Sequence, residues 1–388
     1  MTPKKTLSIL AGLYIHIPFC ASRCIYCGFY STTHNKAQDR YISAICKEMK
    51  MRKTSSVIST VYIGGGTPSQ LQPLNISRLF KSIEQNYNIN PKDKGCNIEV
   101  TMECNPDDID DTLCETMERC GVNRVSMGVQ TFNNNRLSFL KRRHKAEDIP
   151  KAIETLRHHG IMNISIDLMF GFPQQTLDEW RTDILKAINL NVEHISAYSL
   201  TYEENTPLHS MLEKGKLKEA DEELWRTMFI TLMEMLESAG YEHYEISNFA
   251  RKGTKDVRSR HNLSYWNDIP YIGLGASAHS YDGDYRSWNV SDIERYIKGI
   301  EDGKPIYDSE GLDMFNKYDE TIMTRLRTCE GIYLNDIKKK FGNEFHDYLI
   351  RQSQLFIAKE LLCLRDGYLC LTRKGILVSD DIMSDLFY

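Results

Sequence analysis

Short apolar runs at residues 13–19, 59–63, 97–102, 124–129, 164–170 and 194–200 have the length and composition of buried strands. Between them, residues 37–51, 71–86, 109–120, 149–158 and 177–189 carry apolar positions at helical spacing. The alternation predicts six βα units. No hairpin signal separates them, so the strands are expected to be parallel and joined by right-handed crossovers. An open doubly wound sheet and a closed or partial barrel both satisfy this pattern. The unusual residues favour a barrel: Cys20, 64–68, 103–106, Gln130 and 167–173 fall at or just past predicted strand C-termini, which converge on one face in a β/α barrel.

After residue 201 the pattern changes. A long amphipathic helix at 221–239 precedes a strand at 241–246, and a polar, glycine-rich stretch at 251–284 holds His261, Trp266, Tyr271 and His279. From about residue 305, helical patterns at 318–327, 334–341 and 345–359 lead into an expected hairpin at 368–378 around Lys374-Gly375. This reading divides the chain into a core barrel (1–240), a connecting segment (241–304) and a C-terminal unit (305–388) of helices and a hairpin, with the order of a winged helix. Residues 305–388 hold 11 lysines and arginines against 14 aspartates and glutamates, a local net charge of −3. A DNA-binding surface needs a basic face, so a structural or protein-contact role is expected instead.

The whole chain carries 48 basic and 53 acidic residues, a net charge of −5. That asymmetry is too small to advertise nucleic acid or an anionic membrane as partner. Among its 11 cysteines, Cys46, Cys96, Cys104, Cys114 and Cys120 lie in apolar stretches, as small core residues do in a reducing, cytoplasmic setting. Residues 6–19 follow two lysines but contain His16 and Pro18, and are shorter than the ~20 apolar residues of a membrane span. They are read as a buried strand.

The strongest chemical signal is His16-Ile-Pro-Phe-Cys20-Ala-Ser-Arg-Cys24-Ile-Tyr26-Cys27. Three thiolates clustered directly after a strand can wrap a compact metal centre. A structural zinc ion wants four ligands, so it stays under-coordinated here unless His16 or His34 contributes. On a four-iron, four-sulfur cluster, three thiolates leave one iron open to an exogenous ligand. Gly64-Gly65-Gly66-Thr67-Pro68 follows the second strand, Glu103 ends the third, and Gln130, Arg142 and Asp167 lie on or near later strand ends. Such groups are costly to bury unpaired, which favours ligand contacts.

The C-x3-C-x2-C spacing with Tyr26 before the third cysteine resembles the radical S-adenosylmethionine (SAM) superfamily. The segments Tyr14–Cys20, 64–69, 103–106, 124–132, Arg142 with His144, 167–173 and His261-Asn-Leu-Ser-Tyr265-Trp266 resemble one branch of it. That branch comprises the oxygen-independent coproporphyrinogen III oxidases and the haem chaperone HemW. The resemblance implies a partial (β/α)6 barrel with a HemN-type C-terminal domain. It implies a 4Fe-4S cluster on Cys20, Cys24 and Cys27, and S-adenosylmethionine among Tyr14, Gly65, Gly66, Thr67, Glu103, Gln130, Arg142 and Asp167, with Tyr26 beside the cluster. In place of the oxidases' further cysteine two positions after the third stands Phe29, and only 19 residues precede Cys20, without the longer N-terminal arm. Both departures point to the chaperone side: haem as cargo, haem-receiving client proteins, and a reductant such as flavodoxin or ferredoxin. Porphyrinogen decarboxylation is the alternative. His261, beside Tyr265 and Trp266, is the expected axial haem ligand. His243 and His279 are weaker candidates, and His158-His159 read as surface residues at a helix C-terminus.

Overall fold

The computed structural model describes residues 10–87, 89–90, 97–253 and 255–388. Cys96 and residues 6–9 lie outside them. All six expected strands form: β1 (Leu10–Ile17), β2 (Val57–Gly65), β3 (Glu99–Cys104), β4 (Arg124–Gln130), β5 (Asn163–Phe170) and β6 (His194–Ser199) pair in that order, all parallel. Between them run α1 (Gln38–Met51), α2 (Pro73–Tyr87), α3 (Asp111–Cys120), a short α4 (Asn134–Phe139), α5 (Asp148–His158) and α6 (Leu177–Asn189). The sheet stays open. Beyond β6 come α7 (Pro207–Glu213) and α8 (Glu222–Ser238), and then β7 (Tyr241–Glu245) and β8 (Asn248–Arg251), which close one edge antiparallel. The chain next crosses to the other edge through α9 (Arg260–Trp266), where β9 (Tyr271–Leu274) pairs parallel with β1. β10 (His279–Tyr281), β11 (Tyr285–Asn289) and, after α10 (Ile293–Glu301), β12 (Tyr307–Gly311) extend that side. The segment read as a connector thus supplies strands to both margins of one 12-stranded sheet.

Period-two alternation explains how this sheet folds around a site. Val125, Met127 and Val129 of β4, and Ile164, Ile166 and Leu168 of β5, are completely buried against the helices. Their alternates, Arg124, Ser126, Gly128 and Asp167, line a cavity on the concave face. Fully apolar strands would have left that interior dry and featureless. The helical layer is sealed by residues such as Trp180, 0% exposed on α6, whose indole N–H donates to Met228 O on α8 at 3.0 Å. Glu48 of α1 is buried and pins the β9–β11 extension: its carboxylate accepts from Gly275 N, Tyr296 OH and Asn289 Nδ2.

A separate core gathers Tyr318, Ile322, Phe341, Leu349 and Leu369 from the C-terminal helices, α11 (Met314–Arg325), α12 (Leu334–Phe341) and α13 (Asn343–Ala358), and a small antiparallel sheet, with Leu386 just past the last helix, Ser379–Asp385. In that sheet β13 (Ile332–Tyr333) and β14 (Leu362–Arg365) flank β15 (Tyr368–Leu371). The hairpin expected around Lys374-Gly375 is therefore corrected: strands turn at Asp366-Gly367, both with positive φ, and Lys374-Gly375 lies in the short helix Arg373–Ile376. Asp-Gly is the stronger two-residue hairpin signal, since both residues tolerate left-handed backbone. Among the described residues no helix is long and apolar enough to cross a membrane.

Candidate functional site

The cysteine loop leaves β1 at Ile17 and is tied down on both sides. Cys20 N donates to Thr32 O at 2.9 Å and Thr32 N returns to Pro18 O at 2.7 Å. Ile25, 5% exposed, is buried with Leu140, Met169, Phe172, Leu200 and Leu208, and its backbone bonds to Leu140 and Leu208. Apolar anchors at Phe19 and Ile25 leave the intervening cysteines no place in the core. Cys20, Cys24 and Cys27 are free thiols, half-buried, and face one cavity of about 800 Å³. Burial pushes the Cys20 and Cys27 thiols up. Thr67 Oγ1 lies 3.4 Å from Cys20 Sγ and Arg142 Nη1 3.7 Å from Cys24 Sγ.

Tyr26, Gly65, Gly66, Thr67, Glu103, Gln130, Arg142 and Asp167 line the same cavity. The glycine run has a reason visible in the sheet. A Cβ on Gly64 would meet Tyr62 at 2.7 Å and Glu103 at 2.8 Å, and one on Gly66 would meet Pro18 C at 2.7 Å. Close approach of β2 to its neighbours requires these glycines, and it brings Gly65 N within 2.9 Å of Glu103 Oε2. Tyr62 OH donates to the other carboxylate oxygen at 2.8 Å. Even so, burial dominates and holds the Glu103 carboxyl up at about 7. Asp167 is raised to about 6, again by burial, against the pull of Ser196, Arg124 and Ser126. The cavity therefore carries two carboxyl groups that ionise near neutrality, as a site for polar ligands does.

Gln130 has φ +67, left-handed for a residue with a side chain, at a register shift where β4 leaves β5. The bulge turns its amide toward the cavity. Arg142 is held by Nη2 donating to Asn105 Oδ1 and Gly128 O, both at 2.6 Å, while its buried Nε has no partner. Tyr14 is not on the wall: its hydroxyl bonds His16 Nδ1 at 3.0 Å and its ring stacks behind Tyr62.

His261 stands apart from the cavity wall. It lies on α9 beneath the barrel, 1% exposed, with Nδ1 on Thr60 Oγ1 at 2.8 Å and Nε2 on Tyr265 OH at 2.7 Å. Both nitrogens are used, and burial lowers its pKa to about 3. As placed, neither ring nitrogen is free for another partner. Its neighbour Asn262 reaches the cavity instead, and Trp266 packs under Arg327 at 4.8 Å. His243 stacks on Phe249, and His279 on Trp288. His159 bonds Asp111 at the surface. His16 is likewise spoken for: its second nitrogen bonds Tyr30 O at 2.9 Å, so it cannot complete a zinc site. Among the described residues no three His, Cys, Asp or Glu side chains converge as one ion requires. Tetrahedral zinc would hold its sulfurs about 4 Å apart.

Sequence reasoning missed Asn105, Ser126, Ser196, Tyr198 and Arg124, all on the cavity wall. A usable signal existed. Polar residues two apart within otherwise apolar strands (Arg124/Ser126, Ser165/Asp167, His194/Ser196) mark the face turned inward.

Comparison with known proteins agrees with this geometry. Residues 14–187 match the radical SAM superfamily and residues 315–378 the HemN C-terminal domain. The heme chaperone HemW of Bacillus subtilis is 34% identical over 96% of this chain and 98% of its own length. That of Lactococcus lactis is 31% identical over 95% of each. Coproporphyrinogen III oxidase (HemN) from Escherichia coli shares the fold, with a TM-score of 0.83 at 22% identity, covering 98% of this chain and 90% of that one. With one cysteine-lined cavity in a partial barrel, a HemN-type C-terminal domain and near full-length similarity to several chaperones, the chain belongs to the HemW family of radical SAM proteins.

Proposed function

We propose that this protein is a haem chaperone that carries a 4Fe-4S cluster and S-adenosylmethionine, and hands haem to client proteins in the cytoplasm. One observation supports it most: three unpaired thiols and eight of the polar or glycine positions expected at the cofactor site line a single cavity, although they come from six different strands and loops. Cys20, Cys24 and Cys27 would hold the cluster. Thr67 and Arg142 already lie against two of those sulfurs, where N–H and O–H donors stabilise thiolate charge. The unpartnered Nε of Arg142 fits an anionic group of S-adenosylmethionine, and Glu103 and Asp167 fit its amino or hydroxyl groups. When bound, this pair of cofactors supplies one-electron cleavage of a sulfonium, for which a flavodoxin or ferredoxin is the fitting reductant.

The test is anaerobic reconstitution followed by parallel assays of S-adenosylmethionine binding, haem binding and coproporphyrinogen III turnover. The expected result is a broad cluster absorbance, binding of both ligands and no decarboxylation. Decarboxylation of coproporphyrinogen, or failure to bind haem, would overturn the chaperone reading.

A further inference from the structure

Arg124 opens β4 and is 2% exposed, yet its guanidinium makes no hydrogen bond or ion pair among the described residues, and its Nε is buried without a partner. It lines the same cavity from below. A guanidinium 2% exposed that finds no acceptor in the chain is among the costliest groups to bury, and native structures leave such groups alone only where something else completes them.

The neighbours do not complete it. Glu103 spends both oxygens on Tyr62 OH and Gly65 N, and Asp167 accepts from Ser126 and Ser196. His194 and His261 are kept neutral by burial, with Arg124 itself lowering both. The hydroxyl of Thr101, its register partner on β3, is also buried and unpartnered. Register sets the depth: Glu103 pairs with Ser126, one pleat above the Thr101–Arg124 level, whereas Gln130 lies six residues, about 20 Å, farther along β4. The cysteine loop and Arg142 occupy the upper end of the cavity, and Arg124 its floor.

We propose that Arg124 is the anchor of a second ligand site, at the floor of the cavity, for a small carboxylate. The planar guanidinium matches a carboxylate through two parallel N–H···O bonds. Ser196, Ser247 and Asn262 line the cavity too and offer further donors. An anion bound there supplies the bidentate acceptor that the chain does not, and leaves Glu103, Asp167 and Arg142 free for a cofactor above. The site does not depend on the proposed cofactor or cargo.

The test is acetate binding to the full-length chain with its cluster reconstituted, followed by relaxation of [13C]acetate, with neutral acetamide as control. The variants are Arg124→Gln and Arg124→Met, the second keeping apolar stem volume in case the first fails to fold. Charge-assisted bonds of this kind carry roughly tenfold or more in affinity. Acetate should bind the wild type at least about tenfold more tightly than either variant, acetamide should not discriminate, and acetate binding should survive saturation with S-adenosylmethionine. Equal acetate affinity in wild type and variants, or no binding to the wild type, would overturn the site. Loss of acetate on adding S-adenosylmethionine would overturn it as a second site and give the floor to that cofactor. Failure of S-adenosylmethionine to bind at all would count against the proposed cofactor and leave the acetate comparison to decide on Arg124 alone.

Discussion

Replacing Gly65 by alanine should be far more damaging than replacing a surface glycine of similar backbone. Gly65 has φ +112, and an added Cβ would stand 2.4 Å from His16 Cε1 and 2.5 Å from Nδ1. The imidazole has nowhere to go: it is 3% exposed and fixed by Tyr14 OH at 3.0 Å and Tyr30 O at 2.9 Å. Backbone strain at such a φ costs about 1–3 kcal/mol. Displacing the ring forfeits two hydrogen bonds at about 1 kcal/mol each. The sum is about 3–5 kcal/mol. Gly160, φ +78 with nothing within 4 Å of an added Cβ, bears the backbone cost alone, about 1–2 kcal/mol. Urea unfolding of the cofactor-free chain, followed by circular dichroism, measures both. The midpoint shift of Gly65→Ala should be two- to threefold that of Gly160→Ala, and His16→Ala should relieve most of the excess when combined with it. Equal shifts in the two single variants, or no relief in the double variant, would refute the steric argument.

Cys24→Ala should lose the broad visible absorbance of the reconstituted protein, whereas Cys46→Ala, on the outer helix α1, should keep it; iron content per chain checks both. Glu103→Ala and Asp167→Ala should each weaken S-adenosylmethionine binding roughly five- to a hundredfold by calorimetry while leaving cluster iron unchanged. Because both carboxyls are raised in the folded state, to about 7 and about 6, their contribution to stability is fully present below pH 4. It drains away as pH rises to about 7, so Glu103→Gln should flatten the fall in cofactor-free stability across that window in urea titrations. His261→Ala should lower the unfolding midpoint and leave the Soret band of bound haem unmoved, since its nitrogens serve Thr60 and Tyr265.

Much of this protein was legible from local pattern. Six strands and their helices follow from apolar period alone, because a strand or helix that must bury one face writes that period into its own residues. The cysteine triplet was legible for the same reason: its ligands lie within one loop, so spacing in sequence is spacing in space. What local pattern could not decide is which way a group faces once distant elements meet. His261-Asn262-x-x-Tyr265-Trp266 has the composition of a ligand wall, yet α9 crosses under the barrel and pairs the histidine with Thr60, about two hundred positions earlier, leaving Asn262 at the cavity. Arg124 looks like an ordinary polar start to a strand until β3, β5 and the floor of the lumen enclose it. The strands' alternation was fixed by residue type, but whether the polar face met water, another chain segment or a cavity was set only when the open sheet curved and its neighbours packed around it, since desolvation and partner supply are properties of all the surrounding elements at once.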